Sequence, residues 1–223
     1  PRARAVMERL YKPLALRNAP LMFVNRESAE LAKYAANAFL AMKISFINEI
    51  ANVCEEVGAD VSTVADGMGH DRLIGRAFLN AGIGFGGSCF PKDVSALKQL
   101  AGNSGYHFQL LTAVIEVNEL QKRRVIAKLK KHLGSLSGRT VTLLGAAFKP
   151  NTDDIREAAS LVLASRLMAE GALVRLYDPV ALDAARGQRS GVTFEQDPAR
   201  AIAGADAVVV VTEWAQIIAL DWS

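Results

Sequence analysis

The stretch Phe78–Lys98, FLNAGIGFGGSCFPKDVSALK, places four glycines ahead of a single cysteine and then changes to a helical pattern. Glycines at this density let the backbone adopt conformations closed to other residues and approach a bound group closely. Pro91 is typical of the first turn of a helix, so a helix is predicted from about Pro91 to Gly102. Cys89 then lies at a helix N-terminus with Lys92 close behind it, and both the helix dipole and the ammonium favour a thiolate. The stretch therefore indicates a site for covalent chemistry on an anionic substrate.

A lone cysteine also has a plainer interpretation, because free cysteines often serve as small buried hydrophobic residues. Cys54 lies in the helical pattern FINEIANVCEEVG with apolar neighbours one turn away, and we predict that it belongs to the core. A thiol hydrolase would need a histidine near Cys89. The chain has three histidines and none adjoins the cysteine loop, which argues against a hydrolase: His70, His107 and His132.

The composition is that of an ordinary globular protein. The 223 residues can bury one large core or two modest ones, and the net charge of +3 is too small to indicate nucleic acid binding. No apolar run approaches the roughly 20 residues that span a bilayer, so no membrane association is expected. Two widely separated cysteines fit a reducing cytoplasm. One basic cluster near the end of a predicted helix is interpreted as a solvated face: Lys122, Arg123, Arg124, Lys128, Lys130 and Lys131.

The first half of the sequence predicts helices. A short amphipathic helix should stop before Pro13, followed by a loop from Ala19 into a short extended segment. Ser28 is predicted to cap a helix that runs to Val57 and ends at Gly58. Its apolar residues fall on nearly every face, which predicts burial among other helices. Three further elements are expected: a short helix capped by Asp60, a loop over 67–75, and a long helix from His107 to Leu133.

Two polar residues stand out on the helix that starts at Ser28. Lys33 and Asn37 are four apart and therefore share one face. Polar side chains on a buried helix need a partner or a cleft, although a solvent-facing first turn would also explain them.

Strands and helices alternate from Arg139 onward, which predicts βαβ units on a parallel sheet. Ligands of such sheets bind beyond the carboxyl ends of the strands, near Phe148, Lys149 and a helix start at about Asp153. Asp178 mimics the ribose-binding acid of a dinucleotide site, but the first turn, GAAFK, lacks the glycine spacing for a pyrophosphate. Asp178 is therefore predicted to form a turn. The expected elements are strands at 140–144, 172–177, 192–194 and 207–212, and helices at 154–170, 180–186 and after Asp197.

Four stretches resemble the UDP-glucose/GDP-mannose dehydrogenase family and occur in that family's order. GIGFGGSCFPKD is similar to the catalytic-cysteine loop of its UDP-glucose dehydrogenases. The others are SAELAKYAANAFLAMKISFINE from Ser28, GAAFKPNTDDIREA from Gly145 and VVVVTEW from Val208. The resemblance implies an α/β protein with an all-helical central dimerisation domain (28–133) and a Rossmann-like, parallel-sheet UDP-binding domain (134–223). Residues 1–27 would be the remnant of a linker from an N-terminal NAD-binding domain. The only GxGxxG spacing, Gly82–Gly87, lies in the cysteine loop, and no strand-rich domain with such a turn precedes the matched stretches; a fragment is therefore expected, with its last domain incomplete at the C-terminus.

The resemblance also implies residue roles. Cys89 would be the nucleophile, Lys33 and Asn37 would stabilise oxygen-centred intermediates, and Asp93 would orient or activate the hydrolytic water. NAD is the implied cofactor, with Lys92 and Arg156 at its diphosphate, and no metal is expected. The sugar nucleotide would be bound by Lys33, Asn37, Phe78, Leu79, Asn80, Ala81, Gly82, Gly86, Phe148 and Lys149.

The implied reaction is NAD-dependent, four-electron oxidation of UDP-glucose to UDP-glucuronate through a cysteine thiohemiacetal and thioester, for polysaccharide biosynthesis. These 223 residues alone are expected to be inactive. The resemblance also implies a homodimer through the central helices, in which the helix from His107 to Leu133 packs against its copy. Leu73 stands where the family has an arginine that reaches the neighbouring subunit's substrate, and Arg72 or Arg76 could replace it. Two alternatives are GDP-mannose or another nucleotide-hexose as substrate, and a noncatalytic module that binds sugar nucleotides and dimerises.

Overall fold

A computed structural model describes residues 2–15, 20–188 and 190–222 of the chain. A helical part comes first and an α/β part follows. The helical part comprises α1 (Arg2–Ala15), α2 (Arg26–Val57), α3 (Val61–Gly69), α4 (Phe90–Asn103) and α5 (Gln109–Leu133). The α/β part comprises β1 (Thr140–Leu144), α6 (Ala159–Ala169), β2 (Leu173–Tyr177), α7 (Leu182–Arg186), β3 (Val192–Phe194), α8 (Pro198–Ile202), β4 (Ala207–Val210) and α9 (Ala215–Ile218).

The helical part is organised around the long helix α2, which packs against α3, α4 and α5. Its C-terminus is confirmed, because Gly58 adopts the left-handed conformation (φ 74°) that ends helices. Its N-terminus was predicted three residues too late. Asn25, rather than Ser28, is the cap, and its side chain accepts a hydrogen bond of 3.0 Å from the Ser28 amide. Asp60 caps α3 through the Thr63 amide as predicted.

Three predicted element boundaries in other helices are wrong. The helix α1 continues through Pro13; it is exposed, so water can reach the Arg9 carbonyl that a proline leaves unpaired. The helix α3 extends to Gly69, which shortens the predicted loop. The helix α6 begins at Ala159 rather than Asp154, because Asp154 bonds the Arg156 amide in a local turn and holds the segment out of the helix.

Two predictions about burial are also wrong. The helix α2 is not buried on every face, because Phe39, Phe46 and Val53 are 58%, 48% and 56% exposed. Lys122 does not belong to a solvated face. It is buried and pairs with Glu119 at 2.6 Å, since α5 packs between α2 and α6 and turns Lys122 inward. The prediction for Cys54 is confirmed, as it lies in the core.

The α/β part is built on a four-stranded parallel sheet with the order β3-β2-β1-β4, which confirms the predicted fold class. The strand β1 is central and fully buried from Val141 onward, and it pairs with β2 on one side and β4 on the other. The chain passes from β1 through β2 to β3 on one side and then crosses back to β4 on the other side of β1, so the carboxyl ends of β1 and β4 frame the crevice in which sheets of this type bind ligands. The strand β4 ends two residues earlier than predicted.

Asp178 confirms its predicted role as a turn former and does more than close one turn. It is buried and accepts hydrogen bonds at both carboxylate oxygens. One oxygen binds the amides of the turn after β1, and the other binds the amides of its own turn. The five donors, at 2.6–3.1 Å, are the amides of Ala146, Ala147, Val180 and Ala181 and the indole N–H of Trp214. Asp178 therefore fixes the loop that leads from β1 to the crevice.

Replacing this carboxylate should destabilise the fold strongly. In Asp178→Ala, five donors lose their acceptor, and each buried unsatisfied N–H costs about 1–3 kcal/mol unless water reaches it. We expect the free energy of unfolding to fall by roughly 3 kcal/mol or more in urea titrations followed by circular dichroism. Asp183→Ala is the control, because Asp183 is 91% exposed and its ion pair with Arg186 should contribute little. Equal stability of the two variants would contradict this role of Asp178.

Candidate active site

A cavity of about 450 Å³ lies where the cysteine loop meets the carboxyl ends of β1 and β4. One wall comes from the segment 77–86 with Phe90, and the other from Ala147, Phe148 and Lys149 after β1 and from Val211 and Glu213 after β4. A second cavity of about 440 Å³ adjoins it and shares residues 80–83, Val211 and Glu213. The crevice between β1 and β4 therefore opens onto a space large enough for a nucleotide-sized ligand.

Most of the residues predicted to bind substrate line this cavity: Phe78, Asn80, Ala81, Gly82, Gly86, Phe148 and Lys149. Phe78 lines it with a left-handed backbone (φ 65°), a conformation that non-glycine residues adopt mainly where the surroundings enforce it. Leu79 is an exception, because it is buried beside Ile47 and Ala65 and faces only the second cavity. Lys33 and Asn37 are also outside the cavity lining.

Cys89 caps the N-terminus of α4, where the sequence pattern predicts it. Its side chain is exposed, and its carbonyl accepts the Asp93 amide at 2.8 Å in the first turn of the helix. The Ser88 hydroxyl lies 3.7 Å from its sulfur. Gly86 and Phe90, on either side of Cys89, both line the cavity. Cys89 itself is not among the residues that line the cavity; it lies between these two lining residues in the sequence, in the field of a helix N-terminus.

A polar cluster lies one helical turn beyond Cys89, around the buried carboxylate of Asp93. One carboxylate oxygen accepts a hydrogen bond of 2.5 Å from Asn37 and lies 3.4 Å from the Lys33 ammonium. The other oxygen lies 3.6 Å from the ammonium of Lys92. Asn37 is buried, whereas the Lys33 side chain is 62% exposed. The two polar residues on this face of α2 therefore differ in their access to solvent. The structure thus brings four of the predicted residues together.

Arg156 reaches the cysteine loop from the α/β part. Its guanidinium binds Asp154 through two hydrogen bonds of 2.9 and 2.7 Å. These bonds and the charge of Asp154 raise the pKa of Arg156, and the charge of the nearby Cys89 adds a smaller contribution in the same direction. The pKa of Asp154 is lowered by the same hydrogen bonds. Asp154 therefore orients the guanidinium of a residue whose backbone contacts the cysteine loop at Gly87.

Two glycines let the two parts of the chain meet at this point. The Gly87 amide donates to the Arg156 carbonyl at 2.9 Å. A Cβ at Gly87 would lie 2.6 Å from the Phe148 ring, and a Cβ at Gly86 would clash with the Glu157 carbonyl. The close backbone approach predicted from the glycine-rich loop is therefore directed at the second part of the chain.

The sequence interpretation missed several side chains that build this region. Asn48, Asn118 and Gln121 bind the backbone of the cysteine loop, and Glu213 lines both cavities. Asn48 and Asn118 are polar residues on the core-facing sides of predicted helices, which is the signal that singled out Asn37. Glu213 lies in VVVVTEW, just after the strand predicted at 207–212; this stretch carried the family resemblance but no predicted site residue.

The two arginines near Leu73, Arg72 and Arg76, differ in their hydrogen bonds. The Arg76 guanidinium is engaged within the chain, by Asp66 at 2.5 Å, by the Leu79 carbonyl and by Asn80. Arg72 is exposed and makes no ion pair or side-chain hydrogen bond with the part of the chain that the structure describes. Leu73 between them is 95% exposed.

Membrane-spanning helices and metal-binding groups of side chains are both absent from residues 2–15, 20–188 and 190–222, the part of the chain that the structure describes. None of their helices combines the length and apolarity needed to cross a membrane. No group of three or more histidine, cysteine, aspartate or glutamate side chains is placed to hold a metal ion.

Both the helical part and the α/β part of the chain are similar to known proteins. Residues 27–120 match the central domain of the UDP-glucose/GDP-mannose dehydrogenase family, and residues 142–223 match its UDP-binding domain. The chain is 52% identical over 217 residues to the UDP-glucose 6-dehydrogenase TuaD of Bacillus subtilis and 47% identical over 221 residues to a UDP-glucose 6-dehydrogenase of Pseudomonas aeruginosa. These alignments cover 97% and 96% of the chain but 46% and 49% of the relatives, so the chain spans about half of their length.

Solved structures show the same relationship. A UDP-glucose dehydrogenase from Pyrobaculum islandicum superposes with a TM-score of 0.95 at 40% identity, covering 100% of this chain and 51% of that one. An NDP-N-acetyl-D-galactosaminuronic acid dehydrogenase from Methanosarcina mazei superposes with a TM-score of 0.76 at 26% identity, covering 87% of this chain and 42% of that one. On the evidence of both matched domains, the chain belongs to the UDP-glucose/GDP-mannose dehydrogenase family.

Proposed function

We propose that the chain supplies the sugar-nucleotide site and the catalytic cysteine of an enzyme that oxidises UDP-glucose to UDP-glucuronate with NAD. One observation carries the proposal. An exposed cysteine occupies the N-cap position of a helix, between two residues that line a nucleotide-sized cavity, and a buried carboxylate that binds a lysine and an asparagine lies one turn further on. Family membership and relatives named UDP-glucose 6-dehydrogenase support the choice of substrate.

The cavity suits a sugar nucleotide whose two ends need different environments. Lys149, exposed at the wall after β1, would pair with a diphosphate, and Phe148 beside it offers an aromatic surface. The backbone of Asn80 and Ala81 provides hydrogen-bonding groups on the opposite wall. In this division, residues 28–133 hold the reacting end of the sugar and residues 134–223 hold the nucleotide.

Cys89 and the Asp93 cluster would divide the chemistry between them. The Cys89 thiolate adds to the carbon of the intermediate aldehyde, and negative charge develops on its oxygen, where the Lys33 ammonium can stabilise it. Loss of a second hydride converts this adduct into a thioester on Cys89. Water then cleaves the C–S bond, with Asp93 orienting the water or accepting its proton while Asn37 fixes the carboxylate.

The residues near Cys89 also fit a dinucleotide. Arg156 is an exposed cation oriented by Asp154, with its backbone bound to Gly87, and Lys92 is exposed in the first turn of α4, so together they could bind a diphosphate. NAD, when bound, would accept one hydride, so the two oxidation steps would consume two NAD molecules in succession.

Alkylation of Cys89 tests the site directly. In the complete enzyme, UDP-glucose should slow the reaction of Cys89 with iodoacetamide at least tenfold, because an occupied cavity covers the thiol; peptide mass spectrometry would measure this. Cys89→Ala should lose UDP-glucose turnover by a factor of about 10³ or more, as expected for a covalent nucleophile. Cys54→Ala is the control, because Cys54 is buried in the core, and it should retain activity.

The alternatives give different outcomes in the same experiment. Protection by GDP-mannose instead of UDP-glucose would reassign the substrate. Protection by UDP-glucose with undiminished turnover in Cys89→Ala would reject the covalent mechanism. A complete protein that binds UDP-glucose without turnover would be a noncatalytic binding module.

We also propose that the protein is a homodimer through the central helices, with α2 as the contact helix. Phe39, Phe46 and Val53 form an exposed apolar row along α2. The ammonium of Lys43, between the first two, holds the Ile74 and Gly75 carbonyls at 2.9 and 3.1 Å. The exposed side chains of Leu73 and Ile74 therefore extend this row.

Arg72 lies on the same loop and has no side-chain partner among the described residues. In such a dimer, Arg72 is therefore better placed than Arg76 to reach the cavity of a second copy.

Two substitutions test whether the dimer contact is formed by α2 or by α5, the helix that the sequence analysis expected to pack against its copy. Phe46→Glu places a charge in the α2 row and should convert the dimer into a monomer in sedimentation-velocity measurements. Leu120→Glu changes a 50%-exposed residue of α5 and should leave the dimer intact. Dissociation by Leu120→Glu alone, or a wild-type protein that sediments as a monomer, would refute an α2 interface.

A further inference from the structure

Three carboxamide side chains hold the backbone of the cysteine loop. The Gly82 amide donates to Asn48 Oδ1 at 2.8 Å, and Gln121 Nε2 donates to the Gly82 carbonyl at 3.1 Å. The Phe85 amide donates to Asn118 Oδ1 at 2.7 Å, and Asn118 Nδ2 donates to the Phe85 carbonyl at 3.1 Å. Side chains from α2 and α5 thus satisfy all four backbone groups of Gly82 and Phe85. We call these three side chains the carboxamide clamp.

The clamp is built tightly. Asn48 is fully buried and Asn118 is 5% exposed. Gly84, between the two held residues, has a φ of 108°, and a Cβ there would lie 2.7 Å from Asn118 Oδ1. The Nδ2 group of Asn48 has no hydrogen-bond partner among the described residues. Burying that group costs free energy, so packing alone does not account for an asparagine at this position.

We propose that Asn118, supported by Asn48 and Gln121, is a positioning residue for Cys89. The clamp fixes residues 82–85, which line the cavity, and Phe85 lies four residues before the thiol. A shift of about 1 Å in a reacting group can cost about a hundredfold in rate. Carboxamides offer a donor and an acceptor and do not titrate, so they hold the loop without adding charge beside a thiolate or a diphosphate. The catalytic consequence rests on the proposed function.

A buried hydrogen bond elsewhere in the same helix pair provides a matched control. The hydroxyl of Ser45, which is also buried, donates to the Val114 carbonyl at 3.0 Å and so joins α2 to α5. Among the described residues, the Ser45 hydroxyl makes no hydrogen bond with the cysteine loop. Ser45→Ala therefore removes a buried bond between the same helices and leaves the clamp in place.

The test compares Asn118→Asp, Asn118→Leu and Ser45→Ala in the complete enzyme. Asn118→Asp keeps the acceptor for the Phe85 amide but turns a second oxygen toward the Phe85 carbonyl, and Asn118→Leu removes both bonds. Both should speed amide hydrogen exchange at residues 82–88 and lower kcat for UDP-glucose by about tenfold or more, with a smaller change in KM. Ser45→Ala should leave loop exchange and kcat within about twofold of wild type.

The outcomes are separable. Folded Asn118 variants with wild-type loop exchange and wild-type kcat would overturn the proposal, as would equal losses in Ser45→Ala. If Asn118→Leu fails to fold, Gln121→Leu breaks the bond to the Gly82 carbonyl from a half-buried position and should give the same two changes. If wild type does not oxidise UDP-glucose, the proposed function fails, while hydrogen exchange still reports whether the clamp orders the loop.

Discussion

The direct contact between two stretches of backbone, which only glycine allows, determines the geometry of this molecule. Gly86 and Gly87 let the cysteine loop lie against Phe148 and the Arg156–Glu157 peptide, with one hydrogen bond between the two main chains. Side chains at these positions would separate the helical part from the α/β part. The contact creates a cavity with one wall from each part and brings the Arg156 backbone to Gly87, two residues before Cys89. The glycine-rich loop therefore joins the two parts of the chain as well as shaping the binding site.

The α/β part resembles a dinucleotide-binding unit but differs from one at its first turn. In such units, amides of that turn bind a pyrophosphate and an acid after the second strand binds a ribose. Here the acid, Asp178, occupies the turn amides itself and is buried there. The turn is therefore closed to a phosphate at those amides, and the open space lies instead between the turn and the cysteine loop. This arrangement is consistent with a site for one nucleotide sugar rather than for a dinucleotide.

The sequence predicted those structural features that depend only on residues close together along the chain. Cys89 at a helix start, Gly58 as a helix end and the alternation of strands and helices follow from short-range rules, and the structure confirms them. Features that depend on distant contacts were not readable. Lys122 is buried because α5 lies between two other helices, and α6 starts late because Asp154 binds its own loop. The pairing of Lys33 and Asn37 with Asp93 spans about 60 residues, so helical spacing indicated a shared face but could not identify the partner.

A structure of the complete protein with bound UDP-glucose is the most direct test of the central claim, that the cavity between the cysteine loop and the sheet presents a sugar carbon to Cys89. The measurement is the distance from the Cys89 sulfur to C6 of the glucose. We expect about 3.5 Å, the separation of reacting atoms, with the diphosphate near Lys149. A nucleotide bound elsewhere, such as the groove beside Arg175 and Arg200 at the other end of the sheet, with C6 remote from the sulfur, would contradict it.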